Sequence, residues 1–217
     1  ILLISKALNC TTIESTGTGS ITINANSGSS SSASHDIFTQ NIVNILANSG
    51  AINITGSGNG DFQSYGNALS IGYKASSDVT SSSGNISIKD DNLTWGGSGS
   101  WQIKTSGTAI LQPYRDDFSS EISTANIGFS TDITELTIGK STNKADITIA
   151  SITNIAGPIT AYGGDITVNG DLNTAGANDA DILLKASGNI TTLSSKDITT
   201  NGGNITLWAD RDSLNGG

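Results

Sequence analysis

The sequence contains very few of the residues that enzymes and metal proteins commonly use for chemistry. Its 217 residues include one cysteine, one histidine, two prolines and no methionine. Cys10 cannot form a disulfide within the chain, and no second cysteine or histidine lies near it to indicate a metal site, so we expect a small buried apolar residue. The absence of methionine, at the first position as elsewhere, indicates a segment of a longer protein.

Positive charge is also scarce. Ten lysines and arginines stand against nineteen acidic residues, which gives a net charge of −9. A phosphate backbone or an anionic membrane surface would be repelled overall, so we expect no nucleic acid partner. The longest apolar opening, residues 1–4, has the length of a strand, and no run of about 18 apolar residues predicts a membrane span.

Small polar residues dominate the composition, yet the isoleucines are ordered. Serine, threonine, asparagine and glycine make up 105 residues, and many of the 29 isoleucines lie in apolar, polar, apolar triplets that follow a turn residue or Asp. Such alternation after a turn residue predicts half-buried strands. The phrase occurs at Gly19–Ile23, Gly50–Ile54, Gly84–Ile88, Asp146–Ile149, Gly164–Val168 and Gly203–Leu207.

The phrase has a period in the last third of the chain. Ile159, Ile182 and Ile205 are each 23 residues apart, and two apolar positions lie between consecutive members of this series. Three short strands and three turns fit into such a repeat. We therefore predict an all-β fold, a right-handed parallel β-helix or solenoid, with three short strands per coil and roughly ten coils.

The first half is less regular. Ile21, Ile52 and Ile86 are separated by 31 and 34 residues, and Gly/Ser-rich stretches between them indicate loop insertions. We predict one continuous β-helical segment over residues 1–217, with irregular coils and insertions in 24–114 and regular coils in 130–217. The stretch 36–47 fits neither helix nor strand cleanly, and its composition favours a strand.

From about Thr105 onward the chain resembles the repeat region of filamentous-haemagglutinin-type bacterial surface adhesins. The similarity lies in segments 107–113, 127–129, 135–139, 163–174 and 202–207, and it covers roughly half of the chain. In that family such repeats form a β-helical shaft that is secreted to the cell surface. The resemblance implies an extracellular location at the bacterial cell surface and a role in attachment.

Catalytic groups are sparse. A serine or cysteine nucleophile usually needs a histidine base, and His35 lies in a serine-rich loop. Its neighbour Asp36 points to the other side of an extended backbone, so we expect a solvated histidine without a positioned partner. The sequence predicts no catalytic residue, and hence a protein that is not an enzyme.

Paired carboxylates raise the alternative of a β-helical protein that binds or cleaves polysaccharide. The pairs are Asp90 with Asp91, Asp116 with Asp117, and Asp179 with Asp181. Glycosidases need two carboxylates on one face, whereas Asp residues in turns more often bond the local backbone. Calcium at 178–181 or 210–212 is the other alternative, but the repeats of calcium-binding β-rolls are missing. We predict no metal and no cofactor.

Threonine at the centre of the triplet gives a third functional alternative. Thr22, Thr148, Thr167 and Thr206 share this position, so we expect outward ladders of threonine, similar to the flat threonine arrays of ice-binding β-helices. Asn53 and Ser87 interrupt that row. Threonine is in any case common at exposed strand positions.

The aromatic residues of 62–114 are the candidate ligand contacts, because aromatic rings supply contact area with few rotamers. They are Tyr65, Tyr73, Trp95, Trp101 and Tyr114. Together these observations predict a non-catalytic shaft segment of a secreted adhesin or surface filament that mediates attachment. Its expected partners are a host, bacterial or abiotic surface ligand such as a glycan, further coils of the same polypeptide at both ends, and other copies in a filament.

Overall fold

The computed structural model describes residues 2–4, 11–27, 35–73, 82–96, 100–150, 152 and 154–211. Within these ranges every regular element is a strand and none is a helix, so the chain is all-β as the alternation predicts. Cys10, the runs 28–34 and 97–99, and Asp212 lie outside the described residues. In chain order the strands are β1 (Leu2–Ile4), β2 (Thr11–Ser15), β3 (Ile21–Ala25), β4 (Ile37–Ala47), β5 (Ile52–Gly56), β6 (Phe62–Ile71), β7 (Ile86–Lys89), β8 (Leu93–Gly96), β9 (Ser100–Ile103), β10 (Thr108–Gln112), β11 (Ile122–Ser123), β12 (Ile127–Phe129), β13 (Glu135–Ile138), β14 (Ile147–Ile149), β15 (Ile159–Gly163), β16 (Ile166–Val168), β17 (Leu172–Asn178), β18 (Ile182–Ala186), β19 (Ile190–Thr192), β20 (Ile198–Asn201) and β21 (Ile205–Trp208).

The strands form four sheets, and all the strand pairs are parallel. The main sheet has eight strands in the order β21-β18-β15-β13-β10-β7-β5-β3. The amino-terminal sheet contains β1, β2, β4, β6, β8, β9 and β12. A four-stranded sheet contains β11, β14, β16 and β19, and a two-stranded sheet contains β17 and β20.

The predicted 23-residue step is confirmed by the strand register. From β15 onward the chain visits the main, four-stranded and two-stranded sheets in that order and then returns to the main sheet. The 23-residue step pairs Ile159 with Ile182 and Ile182 with Ile205, as predicted. In the other two sheets the same winding pairs Ile166 with Ile190 and Leu172 with Ile198.

The insertions of the first half leave the register intact. Ile21 pairs with Ile52, and Ile52 pairs with Ile86, although 31 and 34 residues separate them. The extra residues therefore leave and rejoin the sheet at the same position. The two turns that begin at Ile21 and Ile52 each contain more residues than a regular turn of 23. The main sheet therefore has eight strands in the described chain, whereas roughly ten coils were predicted.

The ambiguous stretch 36–47 is the long strand β4, as its composition favours. Asn41 has a φ of 63°, and the register with β6 shifts between Gln40 and Ile42. The inward residues Ile37, Val43 and Ile45 keep the same parity across this shift, but Leu46 on the opposite face is also buried, so apolar residues on both faces hide the period of two. β1 and β2 pair with the two halves of β4, just as β8 and β9 pair with the two halves of β6.

Two occurrences of the repeated phrase lie outside the main sheet. Ile147 and Ile166, on β14 and β16, belong to the four-stranded sheet. The four threonines therefore lie in two sheets, with Thr148 beside Thr167 in the four-stranded sheet and Thr22 and Thr206 in the main sheet. The phrase marks a strand whose first and third apolar residues face inward, and it occurs in both the main and the four-stranded sheets.

The first triplet residues fill a continuous apolar core. The buried cluster extends from Ile21 to Ala186, and most of its isoleucines are almost fully buried. Burying one such side chain stabilises the fold by about 2 kcal/mol. The polar middle residues face outward, because side chains alternate between the two faces of a strand.

The glycine that opens the phrase allows close backbone stacking. A Cβ atom on Gly50 would lie 2.1 Å from the carbonyl oxygen of Gly19, and one on Gly84 would lie 2.0 Å from that of Gly50. Neither approach leaves space for a side chain. The phrase begins with glycine because successive turns meet there through their backbones.

Aspartates at strand entries bond the next turn. The Oδ1 atoms of Asp146 and Asp165 accept hydrogen bonds from the backbone N–H groups of Asp165 and Asn189, both at 2.7 Å. Asp181 Oδ1 accepts one from the N–H of Asn204 at 2.6 Å. The expectation of local turn bonds is wrong for Asp181, because its carboxylate, like those of Asp146 and Asp165, links consecutive turns.

Candidate functional site

The aromatic residues of 62–114 have different environments. Tyr65 and Tyr114 are 51% and 47% exposed. The Tyr73 ring is half-buried, with Lys104 Nζ 4.1 Å from its centroid. Trp101 is fully buried, so it cannot contact a surface ligand in this conformation. The side chain of Trp95 lies outside the described residues.

Trp101 belongs to the core because of its position on β9. It pairs with Leu69 and Ile127 on the neighbouring strands, and its ring centroid lies 4.6 Å from that of Phe62. Rings at this separation attract each other as well as burying apolar area. Trp101 and Phe62 therefore fill the wider interior between the long strands of the amino-terminal sheet.

A polar cluster occupies the corner where the main sheet meets the amino-terminal sheet. We call it the acidic corner and define it by Asp36, Asp61, Asp90 and Asp91 with His35 and Arg115. Asp36 and Asp61 each immediately precede a strand, and so does Asn92. Because Ile37 pairs with Phe62 and Phe62 with Leu93, these three polar residues lie in one row across successive turns.

Asp36 is 1% exposed, and backbone N–H groups surround its carboxylate. Oδ1 accepts a hydrogen bond from Ser27 N at 2.5 Å, and Oδ2 accepts one from Gly58 N at 2.8 Å. Ser27 Oγ in turn accepts a bond from Gly60 N at 2.9 Å. Asp36 thus links the loop at Ser27 and the loop at Gly58 to the start of β4.

Asp61 pairs with the single histidine. Its Oδ1 is hydrogen bonded to His35 Nδ1, and its Oδ2 accepts a bond from the Thr94 hydroxyl at 2.8 Å. The His35 ring stacks on Phe38 with centroids 4.8 Å apart. The expectation of a solvated histidine without a positioned partner is therefore wrong. The partner is distant in sequence, and strand register brings it close.

Asp91 binds Arg115 in two ways. Its Oδ1 accepts a hydrogen bond from the Arg115 backbone N–H at 2.7 Å, and its Oδ2 accepts one from Nη1 at 2.6 Å. Arg115 Nη2 also donates to Asn59 Oδ1 at 3.1 Å. Although half of the arginine side chain is exposed, the carboxylate of Asp91 is buried. Arg115 therefore neutralises a buried charge from the outside.

Asp90 is the exception within the cluster. It is 1% exposed, and its Oδ1 accepts a hydrogen bond from Asn92 N at 2.9 Å. No donor among the described residues reaches its Oδ2. Burial is the main cause that raises the pKa of Asp90 to about 7; the bond from Asn92 lowers this pKa, and the nearby charges of Asp36, Asp91 and Asp61 help to raise it.

These contacts do not form an established catalytic arrangement. In a nucleophilic triad the hydroxyl bonds the histidine, whereas here Thr94 and His35 both bond Asp61. A glycosidase carboxylate pair must face an open cleft, but Asp90 and Asp91 are 1% and 6% exposed. In this conformation a sugar chain cannot reach the two carboxylates.

The other two aspartate pairs lie elsewhere on the surface. Two adjoining cavities of about 390 Å³ each share Asp117 and Lys144 in their walls, and Asp116 lines one of them. Asp117 Oδ1 accepts a hydrogen bond from the Lys144 N–H at 2.5 Å. Asp179 is exposed with a φ of 57°, and Asp181 bonds the next turn. Each pair therefore has a structural contact of its own.

Neither a metal site nor a membrane helix is found in the described chain. No three His, Cys, Asp or Glu side chains converge to hold a metal ion within the ranges given above. Over the same residues, no helix has the length and apolar character needed to cross a membrane.

The outward face of the main sheet is not a uniform threonine array. Its central row contains hydrophobic as well as polar residues, since Ile110 and Leu183 lie in line with the threonines. The row reads Thr22, Asn53, Ser87, Ile110, Thr137, Thr160, Leu183 and Thr206. A flat ice-binding ladder would need threonine at each of these positions.

Sequence reasoning missed Asp61 and Arg115 as members of a cluster. The available signal was an Asp or Asn directly before an apolar strand residue at 36, 61 and 92. Against models of protein families, curated proteins and solved structures, the chain shows no significant match to any family, protein or fold.

Proposed function

We propose that this chain is a non-catalytic shaft segment of a secreted bacterial adhesin or surface filament. In this proposal the four sheets form a right-handed parallel β-helix with three strand positions per turn. The supporting observation is one sheet of eight parallel strands whose register holds from Ile21 to Trp208. Nearly all parallel connections of this kind are right-handed, which gives the proposed sense of winding.

A shaft of this kind has to extend over distance, and the interior supports that role. The apolar cluster continues from turn to turn, while each turn contacts chiefly its neighbours. Stability in such an array is a sum of units and interfaces, so length can increase without a larger core. A net charge of −9 favours solubility of a long polar surface.

The last strand supports the presence of further coils. Ile205, Leu207 and Trp208 on β21 are 45–50% exposed, whereas their counterparts Ile182 and Leu184 on β18 are fully buried. An uncovered apolar strand with a free backbone edge pairs readily with another strand. We propose that further coils of the same polypeptide cover both ends of the main sheet, and that self-association into filaments uses the same edge.

Tyr65 and Tyr114 are the proposed contacts for a ligand on a host, bacterial or abiotic surface. Both rings are about half exposed, which leaves apolar area and a hydroxyl available for a glycan. We propose an extracellular position at the bacterial cell surface on the resemblance of residues 105–217 to the adhesin repeats. Polysaccharide binding is part of this proposal, and cleavage is not.

Single-molecule pulling tests the shaft. Tethered through its two ends, the chain is expected to unfold in several steps. Each released turn of about 23 residues adds roughly 80 Å of contour length. A single all-or-none event over the whole contour would contradict stacked turns of independent stability.

A binding assay tests attachment separately. Beads coated with the chain are expected to adhere to glycan or cell surfaces, and the double variant Tyr65→Ala, Tyr114→Ala is expected to bind about tenfold more weakly. Tyr162→Ala is the matched control, because it removes a tyrosine from the main sheet. Turnover of a glycan by the purified chain would instead favour the enzyme alternative.

A further inference from the structure

We infer that the acidic corner is a pH-sensitive contact between successive turns. In it Asp90 is held protonated, and ionisation of Asp90 weakens the contacts between these turns. This inference concerns a device within the fold and does not depend on the proposed attachment function. It rests on one buried carboxyl oxygen that has no donor in the described chain.

The space for this carboxyl group is created by Gly56. A Cβ atom on Gly56 would lie 1.9 Å from Asp90 Oδ2 and 3.1 Å from Asp36 Cβ. Thr55 pairs with Lys89, so Gly56 lies beside Asp90 in the main sheet. The absent side chain thus leaves a recess between two turns, and Asp90 Oδ2 points into that recess towards Asp36.

The acidic neighbours of Asp90 are already satisfied by other groups. Asp91 is paired with Arg115, and Asp61 is bonded to His35. The carboxylate of Asp36 accepts two backbone N–H groups from the adjoining excursions. No cation in this set is therefore free to neutralise a further carboxylate at Asp90.

Ionised Asp90 would consequently be a buried charge that has the Asn92 N–H as a donor but no free cation beside it among the described residues. Such charges cost several kcal/mol, and a carboxyl group avoids the cost by keeping its proton. The charged groups facing Asp90 from the packed elements are those of Asp36, Asp61 and Asp91. All three are acidic, so they disfavour its ionisation, in agreement with its pKa of about 7.

The sign of the pH effect follows from linkage. In the unfolded chain an aspartate loses its proton near pH 4, whereas in the folded chain Asp90 keeps it to about pH 7. Its contribution to stability is therefore greatest below about pH 4, falls as the pH rises to about 7, and is level above that. A rise in pH from about 4 to about 7 therefore weakens the corner.

The direct test is a carbon NMR titration of the aspartate carboxyl groups in the full chain. The Asp90 resonance is assigned as the one that is missing from the spectrum of Asp90→Asn. This resonance is expected to titrate with a midpoint within about one unit of pH 7. A midpoint below pH 5 would overturn the inference, because it would mean that the buried carboxyl ionises without difficulty.

The second test measures unfolding equilibria from pH 4 to pH 9. The unfolding constant of the wild type is expected to rise between about tenfold and a thousandfold more than that of Asp90→Asn over this range. Asp132→Asn, at an exposed aspartate, is the matched control and should follow the wild type. His35→Gln should show the same pH-dependent rise in the unfolding constant as the wild type. If this rise is lost in His35→Gln, the titrating group is His35 and not Asp90.

A third test, with calcium, distinguishes protonation of Asp90 from the binding of a metal ion by Asp90. Addition of millimolar CaCl₂ at pH 8 should raise the unfolding midpoints of wild type and Asp90→Asn equally. A rise confined to the wild type would overturn the inference, because a bound cation would then be neutralising Asp90.

Discussion

Asp165 Oδ1 accepts a hydrogen bond from the backbone N–H of Asn189, at 2.7 Å, across the boundary between two successive turns. The N–H of Asp165 itself donates to Asp146 Oδ1 at the same distance. The strand-entry side chain of one turn therefore receives the backbone of the next. This contact repeats along the molecule, since Asn85 Oδ1 accepts a bond from Thr108 N in the same way.

Asp165→Ala is expected to lower the free energy of unfolding by about 1 kcal/mol, because the N–H of Asn189 loses its acceptor. Chemical denaturation monitored by far-ultraviolet circular dichroism measures this change. Asp165→Asn is the matched control and should lose less, since an amide oxygen performs this role at Asn85. Equal losses in both variants would show that charge, and not the acceptor, matters.

Gly84→Ala is expected to destabilise the chain by more than about 2 kcal/mol. The added methyl group would lie 2.0 Å from the carbonyl oxygen of Gly50, so two turns would have to move apart. Thermal unfolding compared with Gly17→Ala provides the control, because no atom lies within 4 Å of a Cβ at Gly17. If Gly84→Ala is as stable as Gly17→Ala, the close stacking of the phrase glycines is wrong.

The same substitution at two positions of the repeat should have different costs. Ile182→Ala removes a fully buried side chain and is expected to cost about 2–5 kcal/mol. Ile205→Ala, one turn later, removes a side chain that is 45% exposed and should cost less than half as much. Denaturation at low protein concentration measures both. Equal costs would mean that another strand covers β21 in solution.

Arg115→Ala should destabilise the acidic corner by about 1–3 kcal/mol, because the buried carboxylate of Asp91 loses the guanidinium donor and keeps the backbone N–H of residue 115. Unfolding at pH 8 measures the loss. Arg115→Lys retains the charge and is expected to recover part of the stability. A wild-type value for Arg115→Ala would show that solvent already neutralises Asp91.

Trp101→Ala is expected to cost about 3–5 kcal/mol, since Trp101 is fully buried beside Phe62. Tyr65→Ala is the control, and it should leave the unfolding midpoint nearly unchanged because half of its side chain is exposed. Both are read by thermal unfolding. A mild effect at Trp101 would mean that the wide interior of the amino-terminal sheet can close around the missing ring.

The alternation of residues made the strands and their inward faces predictable. Ile182, Leu184 and Ile205 could be assigned to one repeating position, because the period of two is a property of each strand alone. The 23-residue spacing then gave the pairing of these residues. Glycine before the triplet also had a local signal, although its steric reason lies in the preceding turn.

Strand β4 shows where that local signal ends. Both faces of its second half are buried, since Leu46 is enclosed as well as Val43 and Ile45, so its sequence pattern matched no regular element. The sequence also could not separate Thr148 from Thr22, because both centre identical triplets and differ only in the side of the turn that they occupy.

The amino-acid sequence by itself determined the all-β class, the inward isoleucines and the register of the later turns, since each depends on short-range periodicity. Only the tertiary structure decided that His35 meets Asp61, that Arg115 reaches Asp91, and that Asp90 is enclosed over Gly56. These partners are 24 to 34 residues apart. Their contacts depend on the number of residues in each loop insertion before the chain returns to the same sheet. No local sequence pattern encodes this number.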